Sequence, residues 1–263
     1  MIRKNERTHY LLNYLRRTGQ VSVSEAVEML GVSEATVRRL FASMEQDGLA
    51  LRSHGMLRSV PDRTMYSFEA SAQVYSREKQ SIGRMAAMFV EDGDTIYLDC
   101  GTTVFQMTLS LSQRIAAGEF SALNVVTNSI ANVQALTPSP SCRIILVGGE
   151  YDSARRDFSG PLTERFITPF HFNKCFLGCD GVTSSDGFSS KNVNISSLNT
   201  CVMERADAVY VLCDASKLGR SAMVSYALLN RVSALVTNAE PSRELRSALQ
   251  SARVHVNLCG ADL

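Results

Sequence analysis

The 263-residue chain lacks a dominant charge: 27 Lys/Arg against 26 Asp/Glu leave a net +1 at pH 7. Any electrostatic signal for a partner therefore has to be local. The chain also lacks an apolar run of about 18 residues, the length a membrane-spanning helix needs, so no membrane partner is expected. Arg3, Lys4, Glu6 and Arg7 stand where a secretory signal would carry its apolar core, and no signal peptide is expected. Histidine is scarce. His9, His54, His171 and His255 show no paired ligand spacing, so neither a metal site nor a resident cofactor is expected. The seven cysteines are odd in number and scattered, Cys175 and Cys179 being the nearest pair. That pattern speaks against a disulfide framework and fits reduced core thiols in a cytoplasmic protein.

What is present begins with an asymmetry. Residues 1–60 hold nine Lys/Arg and six Asp/Glu, the remainder eighteen and twenty. The basic end fits contact with nucleic acid. Residues 6–17 place Tyr10, Leu11, Tyr14 and Leu15 at helical spacing. Thr18-Gly19 ends that helix. Val21-Ser22-Val23 opens a second, with Ala26, Val27 and Leu30 inward and Gly31 as the turn. Ser33 is suited to cap a third helix, Glu34 to Asp47, with Val37, Phe41 and Met44 inward. Gly48 is suited to close it. Two short helices about a Gly turn form a helix-turn-helix, whose second helix presents its first residues to the major groove. Ser22, Ser33, Glu34, Ala35, Thr36, Arg38 and Arg39 are the candidate DNA contacts. Their hydroxyls, small apolar group and guanidiniums suit base edges and phosphates. Leu49–Arg58 alternates about Gly55 and reads as a hairpin. Three helices and a hairpin make a winged helix, its wing offering Arg52, His54 and Arg58. Residues 59–76 mix Pro, Asp and Ser without periodicity and read as a linker. The expected organisation is a DNA-binding domain over 1–58, a linker over 59–76 and a second domain over 77–263.

In that second domain, strand-like and helix-like runs alternate. Strands are expected at 95–99, 124–128, 143–147, 174–178, 208–214, 234–238 and 254–258, with helices at 78–90, 104–111, 129–136, 161–167, 198–205 and 243–250. Near-continuous apolar strands between helices imply an α/β fold with a buried, mostly parallel, Rossmann-like sheet. Such sheets bind ligands at the carboxyl ends of their strands, and there the polar residues collect. Asp99-Cys100-Gly101-Thr102-Thr103, Thr127-Asn128-Ser129, Gly148-Gly149, Asp180-Gly181 and Asp214 to Gly219 each follow a strand. Gly101, Thr102 and Thr103 at a helix N-terminus supply N–H groups and hydroxyls for a phosphate, and Lys217 adds a charge. Asp99, Asn128 and Asp180 suit sugar hydroxyls. The candidate effector site is Asp99, Gly101, Thr102, Thr103, Asn128, Ser129, Gly148, Gly149, Asp180, Gly181 and Lys217, its ligand a small phosphorylated sugar.

With these motifs in order, nearly the whole chain resembles the DeoR family of bacterial transcriptional regulators. The resemblance lies in Val21–Val37 with the following hairpin, then in Glu91–Thr103, Val125–Ser129, Leu146–Gly149, Ser159–Pro161, Phe176–Gly181 and Asp214–Gly219. It implies a winged helix-turn-helix joined to a sugar-phosphate sensor related to ribose-5-phosphate isomerase. It further implies repression of a carbohydrate-catabolism operon, relieved by a phosphorylated sugar. Operators read by helix-turn-helix units mirror two-fold symmetry, so a homodimer or homotetramer on double-stranded DNA is expected.

The chain departs from the family pattern in three places. Leu40-Phe41 replaces Asp-Leu in the recognition helix. Gly55-Met56-Leu57 replaces Gly-Gly-Ala in the wing. Asn194 and Asn199 stand where acidic residues and a lysine are usual, which implies a rearranged pocket edge and an unusual effector. The alternative function, a sugar-phosphate isomerase, needs a base and an acid at the sugar. Asp99 and Asp180 are available for this, but Asn194 and Asn199 cannot exchange protons at neutral pH, and the DNA-binding half would have no role.

Overall fold

The computed structural model describes residues 7–8, 10–11, 14–15, 18–46, 50–53, 55–59, 66–136 and 139–260. The chain forms two compact units, Met1–Ser67 and Phe68–Leu263.

In the first unit, the described residues of the 6–17 segment are helical, with Leu11 and Leu15 buried and Tyr10 exposed. Strand β1 (Gln20–Ser22) follows, then helix Val23–Leu30. Val21 does not open the helix as its spacing predicts. It pairs with Leu57 across an antiparallel ladder and is fully buried. Ser22 fixes the helix start. Its Oγ accepts from the Glu25 N–H (3.2 Å), and the Glu25 carboxylate accepts from the Ser22 N–H (2.7 Å), a reciprocal capping box. Gly31, at φ +61°, ends the helix. Helix Glu34–Gln46 comes next, then β2 (Ala50–Ser53) and β3 (Met56–Ser59), in the sheet order β1-β3-β2. The hairpin turns at Gly55 (φ +78°). Val37, Phe41 and Met44 enter the core as their spacing requires, and so does Leu40. That burial accounts for an apolar residue at position 40. Gly48 and His54 lie outside the described residues.

The second unit begins with helix Phe68–Gln73, inside the stretch expected to be linker. Phe68 anchors it: the ring packs edge-on to Phe105 at 5.3 Å, and its N–H donates to the Ala154 carbonyl. A single-turn helix held by one aromatic leaves no periodicity to read. Helix Ser76–Ala87 follows, then β4 (Thr95–Leu98), helix Thr102–Ala116, β5 (Leu123–Thr127), helix Ile130–Ala135 and β6 (Cys142–Leu146). A hairpin of β7 (Glu150–Asp152) and β8 (Asp157–Ser159) leads to helix Pro161–Ile167, β9 (Phe172–Gly178), β10 (Gly181–Thr183), β11 (Gly187–Ser190) and helix Val193–Met203. β12 (Ala206–Leu212), β13 (Val224–Ala227), β14 (Ala234–Thr237), helix Arg243–Ser251 and β15 (His255–Leu258) complete it.

Seven strands form one sheet in the order β15-β14-β12-β9-β4-β5-β6, every neighbouring pair parallel. Both faces are buried. Ile96, Leu98, Val125, Phe176 and Val236 enter one apolar cluster with helices Ser76–Ala87 and Thr102–Ala116. Tyr97, Val126, Cys175, Leu177 and Leu235 enter the other, with helices Val193–Met203 and Arg243–Ser251. The β7–β8 hairpin and the antiparallel sheet β10-β11-β13 were not expected from sequence. Their strands are three or four residues long, too short to show alternation.

The two helices on the first face meet at Gly83, where a Cβ would lie 2.5 Å from the backbone of Gln106 and Met107. Neither helix can yield without moving its backbone. Gly83→Ala should therefore destabilise the sensor unit by about 1–3 kcal/mol, lowering its Tm by roughly 2–4 °C for each kcal/mol. An unchanged melting curve would refute this close approach.

Candidate nucleic-acid interface and effector site

In the helix-turn-helix, Glu34, Ala35, Arg38 and Arg39 are exposed along the first turns of helix Glu34–Gln46, with Thr36 half-buried. Ser33 Oγ and Thr36 Oγ1 lie 3.0 Å apart. The Ser33 hydroxyl thus pairs with a side chain, while its carbonyl accepts from the N–H groups of Thr36 and Val37. Arg38 donates to Glu34 through Nε (2.8 Å) and Nη2 (2.6 Å). The pair is exposed on both sides, and such i,i+4 pairs contribute about 0.3–0.5 kcal/mol. It fixes the direction of one guanidinium and leaves Arg39 with only a 3.4 Å contact to the Ala35 carbonyl. On the wing, Arg52 pairs with Glu45 at 3.9 Å, and Arg58 is exposed. Ser22, a predicted contact, spends its hydroxyl on the capping box.

The parallel sheet brings the predicted effector loops together, since the ends of β12, β9, β4 and β5 are adjacent. Asp99 is 3% exposed. Its Oδ2 accepts from the Gly178 N–H at 2.9 Å, and its Oδ1 is buried without a partner in the chain. Burial raises its carboxyl above the ordinary range, opposed by N–H groups of Gly178 and Cys100 and by the Arg155 charge. Gly101 stands at the N-terminus of the 15-residue helix Thr102–Ala116 and supplies no side-chain cap, and Thr102 and Thr103 are buried there. Asp180 accepts from the Lys191 N–H at 2.8 Å. Lys217 lies in the turn after β12, and its charge acts on Lys79.

Other predicted residues also make contacts within the fold. Asn128 is fully buried, accepting from the Tyr97 hydroxyl (3.0 Å) and donating to the Phe158 carbonyl (2.8 Å). Ser129 caps helix Ile130–Ala135 through the Asn132 N–H. A Cβ on Gly149 would sit 1.9 Å from Thr163 Oγ1, and one on Gly181 would sit 2.2 Å from the Arg220 carbonyl. Both glycines permit close packing. Gly148 is open. Asn194 is exposed, whereas Asn199 is fully buried. A cavity of about 380 Å³ lined by Thr200, Met203, Tyr226 and Arg231 includes none of the predicted effector residues.

Three further polar residues were not singled out from the sequence. Lys79, 6% exposed on helix Ser76–Ala87, donates to the Ser71 carbonyl at 2.6 Å. Burial lowers its pKa, Asp214 opposes that shift, and Lys217 adds to it. The available signal was its place on the stripe shared with Ile82 and Ala86, a cation on an apolar face. Arg155 donates to Asp157 (2.8 Å) and to Cys100 Sγ (3.4 Å). Asn132 joins three elements, donating to the Asp99 carbonyl and Thr127 Oγ1 and accepting from Thr108. A helix N-terminus, two neighbouring lysines and buried carboxylates can together hold an anion bearing hydroxyls.

The arrangement is that of a DNA-reading helix-turn-helix joined to a ligand sensor. Residues 7–63 match the DeoR-like helix-turn-helix domain and residues 75–239 the DeoR C-terminal sensor domain. The protein belongs to the DeoR family and is a transcriptional regulator. Among its relatives, the lactose phosphotransferase system repressor of Streptococcus mutans is 32% identical over 250 residues, covering 93% of this chain and 96% of the relative. The glycerol-3-phosphate regulon repressor of Escherichia coli is 28% identical over 260 residues, covering 98% and 100%. Among solved structures, ribose 5-phosphate isomerase A of Methanocaldococcus jannaschii aligns with 53% of each chain at 19% identity and a TM-score of 0.39.

The raised Asp99 pKa has a testable sign. A carboxyl whose folded value lies above its unfolded value stabilises fully below the unfolded value, and that stability is lost as pH rises through the folded one. Asp99→Asn removes this dependence. The Tm of wild type relative to the variant should rise as pH is lowered from 7 toward the carboxylate range. A difference independent of pH would show that burial does not perturb Asp99.

Proposed function

We propose that the protein represses a carbohydrate-catabolism operon and releases it when a phosphorylated sugar occupies the strand ends of the sensor. The observation that carries this reading is the adjacency of β4, β9 and β12, which brings the Gly101 helix N-terminus, the buried Asp99 and the turn holding Lys217 to one sheet edge, with Lys79 under the charges of Asp214 and Lys217. The phosphate takes the helix N-terminus and the lysines, and the hydroxyls meet Asp99 and Asp180. The names of the relatives, repressors of a lactose phosphotransferase system and of a glycerol-3-phosphate regulon, support it. The protein binds its effector without turning it over. It acts in the cytoplasm as a symmetric homodimer or homotetramer on double-stranded operator DNA. Arg38, Arg39, Thr36 and Ala35 meet the major groove, and Arg52 and Arg58 meet the flanking backbone. Lys79 couples the halves. Its ammonium, held by the Ser71 carbonyl of helix Phe68–Gln73, links charge at the phosphate to the segment that leads to the DNA-binding unit.

Operator titrations at several salt concentrations test the DNA half. Arg39→Ala should weaken binding and lower the salt slope by about one. Glu34→Gln frees Arg38 and should tighten binding to non-specific DNA. Unchanged affinities in both variants would sink the recognition-helix assignment. Release of operator by sugar phosphates tests the sensor. A coupling of 1–3 kcal/mol corresponds to about 5–150-fold weaker operator binding. Lys217→Ala and Lys79→Gln should bind operator normally but lose that response, and a normal response in both would place the phosphate elsewhere.

A further inference from the structure

Strands β9 and β12 pair in parallel with one offset throughout, from Phe172 opposite Ala206 to Gly178 opposite Leu212. Carried one residue further, that offset sets Cys179 opposite Cys213. In-register neighbours on parallel strands point to the same face of the sheet. Both thiols accordingly pack on the apolar cluster that holds Tyr97, Leu177 and Val211. Neighbouring strands lie about 4.8 Å apart, inside the range of about 4.4–6.8 Å that a disulfide spans between Cα atoms.

The two thiols interact directly. A hydrogen bond with Cys213, then burial and the Asp180 charge, push the Cys179 thiol up, and the Lys217 charge opposes them. Cys213 is 1% exposed and Cys179 is half-buried, so a reagent entering from solvent meets Cys179 first. The other cysteines lack this arrangement. Cys175, on β9, stands opposite Val209, and Cys201 lies on helix Val193–Met203 with its thiol toward the Glu164 carbonyl.

We propose that Cys179 and Cys213 are an oxidative modification site, closed to a disulfide by low-molecular-weight disulfides, with Cys179 as the attacking thiol and Cys213 as the resolving one. In the first step the Cys179 sulfur bonds to one sulfur of the small disulfide. The small disulfide's S–S bond breaks, and one thiol leaves with the Cys179 proton. In the second step the Cys213 sulfur bonds to Cys179, the mixed disulfide breaks, and a second thiol leaves with the Cys213 proton. The protein loses two electrons and two protons, and the small disulfide gains them.

Thiolate is scarce on Cys179 at neutral pH, so the first step is slow. The extent of closure is set by the ratio of small disulfide to thiol, and the site reports sustained oxidation and reopens under reducing conditions. Closure also moves the chain. Sulfurs in contact must approach to about 2.05 Å, and each cysteine precedes a loop of the effector region, Asp180-Gly181 or Asp214–Gly219. The Gly178 N–H and carbonyl, bonded to Asp99 and to the Tyr226 hydroxyl, lie next to the linked residue. On the sensor reading above, closure displaces Asp180 and Lys217 from the effector and weakens its binding.

The test is incubation of the folded full chain in glutathione buffers of rising oxidised fraction, then alkylation of the remaining thiols, intact mass and peptide mapping. Two of the seven thiols should disappear together, in one peptide pair joining Cys179 to Cys213, and dithiothreitol should restore both. Cys201→Ala should behave as wild type. Cys213→Ala should stop at a glutathione adduct on Cys179, and Cys179→Ala should form no internal bond; either variant suffices if the other does not fold. A wild type that keeps all its thiols in fully oxidised glutathione, or that joins a different pair, overturns the proposal. Thermal-shift titrations with fructose 6-phosphate, glucose 6-phosphate and ribose 5-phosphate read the consequence. Whichever compound raises the Tm of the reduced protein should bind at least about fivefold more weakly to the oxidised one. Equal affinity for both forms overturns the link to the effector loops. No shift in the reduced protein overturns the sensor reading instead, and the dithiol site then stands or falls on the thiol map.

Discussion

Parallel pairing of seven strands is the constraint from which the sensor unit follows. Strands that all run one way deliver every strand-to-helix loop to the same edge, and crossover helices cover both faces. The strand interiors are therefore committed to two apolar clusters, one holding Ile96, Leu98 and Phe176, the other Tyr97, Cys175 and Leu177. Polar side chains near the strand interiors are tied down at once. The Tyr97 hydroxyl donates to Asn128, and the Thr127 hydroxyl to the Leu98 carbonyl. Chemistry has only the loops at the carboxyl edge in which to reside.

Those loops are stiffened by buried polar bonds. Asp99 takes the N–H of Gly178 from the neighbouring strand end. Asn132 holds the Asp99 carbonyl and Thr127 from the next helix. Tyr226, from the antiparallel sheet, donates to the Gly178 carbonyl at 2.8 Å. A Cβ at Gly101 would lie 3.7 Å from the Gly178 Cα, so the two loops run side by side. A site built this way pays its ordering cost at folding, which leaves more of the contact energy for the ligand.

This division explains what the sequence made legible. The central strands of the main sheet show as apolar runs because both faces are buried, and the strand-end loops show as polar, Gly-containing interruptions. Asp99, Gly101, Thr102, Thr103, Asp180 and Lys217 stand in such interruptions. Asn128, Ser129, Gly149 and Gly181 carry the same signal, and each also answers a local need of the fold, a buried bond, a helix cap or a close backbone approach. Lys79 and Arg155 could not be found by inspecting strand ends. They come from a preceding helix and from a hairpin whose strands are three residues long. In the DNA-binding unit, β1 was hidden because three residues that form a strand also precede a helix cap, and only the pairing of Val21 with Leu57 separates the two.

The two halves use cations differently. In the recognition helix, Arg38 is held by Glu34 in the open, where water screens the pair and the pairing energy is small. It can be exchanged for a phosphate at little cost. In the sensor, Lys79 is buried, and its charge is disfavoured both by that burial and by Lys217. Under the proposed function, an anion arriving there would relieve that penalty and gain from both lysines at once. Ligand binding can shift a regulator only if its affinity differs between two states. The bond from Lys79 to the Ser71 carbonyl supplies a place where that difference can arise. On that reading, an ammonium turning toward a phosphate would weaken its hold on helix Phe68–Gln73, the element that begins where the first unit ends. Coupling then needs no contact between effector and DNA, only a buried charge whose best partner changes when the ligand is present.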